Sequence, residues 1–129
     1  MRKLIVTAAA AMTLAGAVFA DPLEGVWQTV RDDNGNFGHI QVAPCGDALC
    51  GQLVRSFDSS GSEIPSDLIG RNIISETTPN GGGAYRGKVF SPDRDKTYNS
   101  RLQLNGDQLS VSGCVFGICR DGGTWVRVN

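Results

Sequence analysis

The sequence predicts an all-β domain, a small antiparallel up-and-down barrel of eight strands. Short segments in which apolar and polar residues alternate recur along the chain, and clusters of Gly, Asp, Asn and Pro separate them. No segment sustains the 3.6-residue period of an amphipathic helix. Closure into a barrel would leave no exposed strand edge. A β-sandwich is the alternative architecture, because strand patterns alone do not show which strands pair.

The predicted strands follow one another with short connections between most of them. The turn Asp32-Asp33-Asn34-Gly35 and the run Pro79-Asn80-Gly81-Gly82-Gly83 are typical hairpin connections. The stretch 58–70 breaks the alternation and is predicted as a long loop, with one turn of helix around 66–69. The eight strands are predicted at 25–30, 37–43, 51–57, 71–77, 84–90, 97–104, 109–115 and 124–128.

The first twenty residues have the three parts of a secretory signal peptide. Arg2 and Lys3 give a positive start, 4–18 is almost unbroken apolar and small sequence, and Ala20 supplies the small residue before a cleavage point. A retained membrane anchor is the alternative, but the apolar run is shorter than the ~20 residues that span a bilayer. Removing 20 of the 129 residues leaves 109, enough for a single domain at 21–129. We therefore expect a periplasmic or secreted protein with no membrane span in the mature chain.

The charge and composition of the chain limit the classes of molecule that it can be expected to bind. The whole chain has a net charge of −1, which becomes −3 when Arg2 and Lys3 leave with the signal peptide. No cluster of Lys and Arg exists to neutralise phosphates, so nucleic acid is not expected as a partner. With 40% hydrophobic and 19% charged residues, the chain is apolar enough to fold.

Four cysteines form two pairs with the same spacing, Cys45 with Cys50 and Cys114 with Cys119. An even cysteine count in a short exported chain indicates disulfides. Local pairing is favoured, because turn-forming residues within each segment can fold the chain back on itself. The alternatives are disulfides between the two segments, a Cys₄ zinc site and a redox-active dithiol.

Several motifs resemble known families. Gly25-Val26-Trp27 and Trp125-Val126-Arg127 are similar to the barrel-closing pattern of the calycins, a group that includes the lipocalins. More specific are APCGDALCG at 43–51, Gly70-Arg71, DKTY at 95–98 and GCVFGICR at 113–120. Together they resemble an uncharacterised family of exported bacterial proteins with a lipocalin-like barrel, catalogued as a domain of unknown function.

The resemblance implies a fold and an export route. It implies that Trp27 and Arg127 pack together at the closed end of the barrel in a cation–π contact. No activity, substrate or catalytic residue comes with it. The chain departs from the family pattern at Gly81-Gly82-Gly83 and at Phe90-Ser91-Pro92, and neither change touches a known chemical group.

The residues offer little for catalysis or for metal and cofactor binding. His39 is the only histidine, and no G-x-S-x-G segment frames a serine nucleophile. Asp93-x-Asp95 imitates the start of a calcium loop but has Tyr98 at its sixth position, and the glycine run lacks the ending of a phosphate loop. We expect no enzyme activity, no cofactor and no metal site.

Binding is the predicted function, and alternate strand residues would line the interior. The expected lining is Leu53, Arg55, Phe57, Tyr98, Leu102, Leu104, Leu109, Val111 and Val115, and the cations proposed to meet a carboxylate are Arg71, Lys88 and Arg101. From these strands we select five candidate ligand-binding residues, Phe57, Arg71, Tyr85, Tyr98 and Arg101. The ligand would be small and apolar or amphipathic. The alternative is a barrel filled by side chains that serves as an interaction or assembly module for an envelope protein.

Overall fold

The computed structural model describes residues 21–129, so the predicted signal peptide at 1–20 lies outside the described residues. Within this range the chain forms nine β-strands. Their bounds are β1 Gly25–Gln28, β2 Phe37–Cys45, β3 Ala48–Phe57, β4 Glu63–Ile64, β5 Asn72–Pro79, β6 Ala84–Ser91, β7 Lys96–Asn105, β8 Gln108–Val115 and β9 Ile118–Arg127.

Eight of these strands close into an antiparallel barrel, which confirms the predicted fold and excludes the sandwich. The sheet order is β2-β1-β9-β8-β7-β6-β5-β3-β4, and the additional pairing of β2 with β3 completes the ring. The two-residue β4 pairs with the end of β3 and lies outside the ring. Neighbours in the ring are consecutive in the chain, except that β3 pairs with β5 because β4 lies outside the ring. The first strand pairs with the last.

The structure extends several predicted strands. β2 and β3 continue to Cys45 and Ala48, so that only Gly46 and Asp47 separate them. β9 begins at Ile118, six residues before the predicted start, because β8 and β9 meet in a two-residue turn. At 66–69 the chain forms a hydrogen-bonded turn, in which the Ile69 amide donates to the Ser66 carbonyl at 3.2 Å.

Successive strands run in opposite directions, which gives the barrel two distinct ends. The closed end holds residues 21–24, the β2–β3, β5–β6 and β7–β8 connections and the end of β9. The open end holds the β1–β2 loop, the segment from β3 through β4 to β5, the β6–β7 turn and the β8–β9 hairpin.

Trp27 and Arg127 close one end of the barrel. Trp27 is fully buried, and its Nε1 donates a hydrogen bond of 2.9 Å to the Leu23 carbonyl. The Arg127 guanidinium carbon lies 4.4 Å from the Trp27 ring centroid. The same guanidinium donates to the carbonyls of Pro22 and Glu24 at 2.6 and 3.0 Å. One side chain therefore joins the last strand to the segment that enters the first.

The cysteines form the local pairs Cys45–Cys50 and Cys114–Cys119. The first bridge crosses the β2–β3 hairpin at the closed end, and the second crosses the β8–β9 hairpin at the open end. Cys114 and Cys119 are direct neighbours across the strand pair. Each bridge therefore fastens one hairpin turn and joins no distant parts of the chain.

We predict that Trp27→Ala lowers the free energy of unfolding by about 3–5 kcal/mol, because it empties a large buried volume and removes the surface that Arg127 covers. Urea denaturation at neutral pH measures the change. Val128→Ala, at a half-exposed residue near the same end, serves as the control and should change stability little. A Trp27→Ala variant with wild-type stability would contradict the closure role.

The paired substitution Cys45→Ala with Cys50→Ala should leave the protein folded and cost about 2 kcal/mol, because the bridge closes a ring of about six residues. Denaturation of the oxidised variant, compared with the wild type under non-reducing conditions, measures this cost. Failure of the variant to form the barrel, seen as a lost β-sheet circular dichroism spectrum, would show that the bridge does more than fasten a turn.

Candidate functional site: a cavity at the open end

The interior of the barrel has a filled half and an open half. Large apolar side chains pack in the half next to the closed end, around fully buried Trp27, Ile40, Ile74 and Leu109. The other half contains a cavity of about 1290 Å³ that opens to solvent. A filled core and a cavity are thus both present, in different halves of the same barrel.

The cavity has an apolar floor. Leu53 of β3, Val111 of β8 and Trp125 of β9 are buried lining residues that lie away from the open-end termini of their strands. Ile73 of β5, Phe90 of β6 and Tyr98 of β7 also line the cavity and lie nearer the open end. A floor built from three strands is held rigidly, because each residue is fixed by its strand's hydrogen bonds on both sides.

Glycine leaves one inward position of this half empty. Gly113 lines the cavity from β8, and a larger residue there would project inward. A Cβ at Gly113 would lie 3.5 Å from Tyr98, which is ordinary contact with open space beyond it. A side chain at that position would therefore enter the cavity without disturbing the strand.

Charged and hydroxyl side chains surround the mouth. Arg31, Arg94 and Arg120 line it together with several acidic groups, Asp32, Asp33, Asp93 and Asp121. Arg31 is engaged locally, since its Nη1 donates to the Gly35 carbonyl at 2.9 Å and its guanidinium lies over Phe37. Arg94 and Arg120 take part in no ion pair within residues 21–129. They are the cations at the mouth that can meet an acidic group of a bound molecule.

The prediction that Phe57 and Arg55 line the interior is wrong. The register between β2 and β3 shifts between His39 and Ile40, which leaves Val54 without a partner in a β-bulge. The bulge reverses the alternation, so Leu53 and Ser56 line the cavity although they are three residues apart. Phe57 packs on the outer face instead, 5.0 Å from the Phe37 ring.

Tyr85 lies at the closed end and not in the cavity. It is buried, and its hydroxyl donates a hydrogen bond of 2.5 Å to Asp21 Oδ1, which also accepts from the Leu23 amide at 2.8 Å. Burial, followed by the hydrogen bond to Asp21 and the negative charge of that residue, raises the pKa of the Tyr85 phenol. Tyr85 therefore anchors residues 21–23 over the filled half.

The cations chosen from the sequence also lie outside the cavity. Arg101 sits between the buried residues Ser100 and Leu102, so the two-residue period of β7 places it on the outer face. Lys88 donates to Asn99 Oδ1 at 2.9 Å on the exposed surface. Arg71 covers the Phe90 ring at 3.7 Å from its centroid.

Four of the predicted lining residues do line the cavity, namely Leu53, Tyr98, Val111 and Val115. The sequence did not predict four others, namely Phe90, Arg94, Arg120 and Trp125. Arg120 was missed because the predicted last strand began too late to include it. Trp125 was assigned only to the barrel-closing motif. An apolar aromatic residue two positions before Arg127 on the same strand was the signal for an inward position.

His39 belongs to a cluster on the outer face. Its ring lies 4.6 Å from the Phe57 ring, and its Nε2 is 3.3 Å from Gln28 Oε1. Partial burial and the positive charge of Arg55 lower the pKa of His39 below its ordinary value of 6.5, while Glu63 opposes the shift. His39 is absent from the cavity lining.

A closed eight-stranded barrel with one apolar cavity at one end is the architecture of the lipocalin-like class. The chain belongs to the bacterial family described as "Uncharacterized protein conserved in bacteria (DUF2147)", whose model matches residues 25–127. The match covers every strand of the barrel.

Comparison with solved structures gives the same fold. Protein HP1028 from the human pathogen Helicobacter pylori, described as belonging to the lipocalin family, superposes with a TM-score of 0.63. The two chains are 20% identical, and the similarity covers 83% of each. At this identity the likeness shows the fold alone. A search of the curated proteins found no match.

The two disulfides indicate that the chain folds in an oxidising compartment. Among residues 21–129, no helix is long and apolar enough to cross a membrane. The same residues contain no group of three or more His, Cys, Asp or Glu arranged to hold a metal ion.

The lowered pKa of His39 predicts a pH dependence of stability. Below about pH 6.5 the unfolded chain binds a proton at this residue more readily than the folded protein does, so the free energy of unfolding falls as the pH decreases through that window. His39→Gln should remove this component. Urea denaturation of both proteins at pH 7.5 and pH 5 isolates it, because the other titrating groups are common to both. An equal loss of stability in the two proteins would show that His39 does not contribute.

Proposed function

We propose that this protein is an exported, non-enzymatic binding protein, periplasmic or secreted, that holds a small amphipathic ligand in the cavity of its barrel. The observation that carries the proposal is the cavity itself, about 1290 Å³, lined mainly by apolar surface and open to solvent. Pockets of this composition, mostly apolar with a few placed polar groups, are typical small-molecule sites.

The lining gives the ligand an orientation. Its apolar part would lie on the floor formed by Leu53, Val111 and Trp125, since burial there removes apolar surface from water. Its acidic head group would remain at the mouth beside Arg94 and Arg120. The guanidinium group suits a carboxylate or phosphate because its N–H groups form a planar fork. A fatty acid or a similar single-chain amphiphile meets both requirements.

The alternative, a filled barrel that only docks on an envelope protein, is less well supported. Its premise is a solid interior, and here only the half next to the closed end is solid. Gly113 leaves an inward position of the other half open, although a larger side chain there would bury more apolar surface and add stability. A function that uses the open half accounts for glycine at this position.

Parinaric acid, a fluorescent fatty acid, provides a direct test. The wild type should bind it in vesicle-free solution, and Gly113→Leu should bind it at least about ten-fold more weakly, because leucine would occupy the cavity. Ser110→Leu is the matched control, since Ser110 is an exposed residue of the same strand. The control should bind like the wild type.

The head-group assignment has a separate readout. Arg94→Gln with Arg120→Gln should weaken binding of the acid by about ten-fold, the order expected for lost charged hydrogen bonds, and should leave binding of its neutral methyl ester almost unchanged. Equal losses for acid and ester would refute the role of the arginines. Equal affinity of the wild type and Gly113→Leu for the acid would refute binding in the cavity. Copurification of an envelope protein, without any bound lipid, would favour the docking alternative.

A further inference from the structure

The turn between β8 and β9 exposes a group of apolar side chains. Phe116 is 98% exposed, Ile118 is 71% exposed and Val115 is 47% exposed. We refer to residues 115–118 as the apolar tip. Such exposure is unusual for large apolar residues, since it forgoes the free energy that burial would provide.

Phe116 also has a strained backbone conformation. Its φ is +52° and that of Gly117 is +80°, so both central residues of this two-residue turn lie in the left-handed region. Turns of this kind favour Asn, Asp or Gly at the first position, and a bulky residue there is strained. The fold would be served better by asparagine. Neither burial nor turn geometry therefore explains a phenylalanine at this position, which points to a function outside the fold.

The disulfide next to the apolar tip keeps it in place. Cys114 and Cys119 flank the four residues and are direct neighbours across the strand pair. Because the bridge restricts the hairpin before any partner arrives, less conformational entropy is lost on binding. The tip is a rigid projection, in contrast to a mobile loop that would order only on contact.

The apolar tip also forms part of the cavity mouth. Val115, Phe116 and Ile118 all line the cavity. Two other exposed apolar residues, Val30 and Ile69, lie at the same end, whereas Val126 and Val128 lie at the closed end. Exposed apolar surface is thus concentrated around the opening through which a ligand must pass.

We propose that the apolar tip inserts into the surface of a lipid bilayer and places the cavity mouth against the membrane, so that an amphiphile passes between bilayer and barrel. A narrow convex projection fits the interior of a fluid bilayer surface better than it fits a folded partner, whose stable interfaces bury about 800 Å² on each side. Insertion of so few side chains gives marginal, reversible binding, comparable with a single acyl anchor.

The charged residues at the mouth indicate which kind of attraction holds the protein at the membrane. Arg31, Arg94 and Arg120 are interspersed with Asp32, Asp33, Asp93 and Asp121, so the mouth has no basic patch. Attraction to anionic lipids is therefore not the main contribution. Binding by the apolar tip should depend weakly on anionic lipid content and on salt. The exchange of ligand rests on the proposed function, whereas membrane contact by the tip stands without it.

Vesicle flotation tests the contact, with one set of vesicles of phosphatidylcholine and a second of phosphatidylethanolamine with phosphatidylglycerol at about three to one. Phe116→Asn should reduce the bound fraction by at least about ten-fold, as expected when a buried aromatic side chain is lost. Asparagine suits the positive φ of the turn, so this variant should be at least as stable as the wild type. Val128→Asn, at the closed end, is the matched control and should bind like the wild type.

A second variant reports insertion directly. The tryptophan of Phe116→Trp should show a blue-shifted emission on vesicles and quenching by brominated lipid, measured against the same additions to the wild type. Absence of both effects would overturn the proposal, as would equal flotation of Phe116→Asn and the wild type. Binding that requires phosphatidylglycerol and disappears in high salt would also overturn the proposal, because the membrane contact would then be electrostatic and not apolar.

The two proposals fail separately. Gly113→Leu should retain vesicle flotation although it binds parinaric acid weakly, because its change lies inside the barrel and leaves the apolar tip intact. Flotation of the wild type without any binding of the acid would refute the cavity function alone. Binding of the acid without flotation would refute the membrane contact alone.

Discussion

The contact between Arg127 and Trp27 is the interaction on which the rest of the barrel depends. The first and last barrel strands are paired only at Trp27–Arg127 and Gln28–Val126, and backbone hydrogen bonds between Val26 and residues 128–129 extend this short seam. Arg127 reinforces the seam, since its guanidinium covers the buried indole and donates to the carbonyls of Pro22 and Glu24. Its ion pair with the exposed Asp107 adds little, because that carboxylate remains in water. Closure at this end allows the opposite end to stay open.

The division of the interior follows from residue size. Near the closed end the inward positions carry large side chains such as Ile40, Ile74 and Leu109, which fill an eight-stranded barrel completely. Nearer the mouth, Gly113 takes an inward position and leaves a space beside Tyr98. The solid half supplies the buried apolar area that a domain of this size needs. The empty half can therefore serve binding without loss of the core.

Alternation along the strands was sufficient to predict the barrel and its eight strands, seven of them with bounds within three residues of those observed. It was not sufficient for the cavity. The bulge at Val54 reverses which residues face inward, and nothing in the local sequence marks it, so Phe57 was assigned to the wrong face. Arg101 is a different error, because the alternation that placed Tyr98 and Leu102 inward already placed Arg101 outward. The position of Tyr85 at the closed end depends on Asp21, sixty-four residues away, and such long-range pairs are invisible to local patterns.

Residues that stability does not explain gather at one end of the molecule. At the closed end Tyr85 is paired with Asp21 and Arg127 with three acceptors, although Glu24 Oε2 is buried there without a partner. At the open end Phe116 is both strained and exposed, and Arg94 has no ion pair within the described part of the chain. Selection for folding alone would favour asparagine at position 116, because asparagine suits the positive φ of the turn. The strained and exposed Phe116 at the cavity mouth therefore supports the proposal that the opening, and not the outer wall of the barrel, is the working surface.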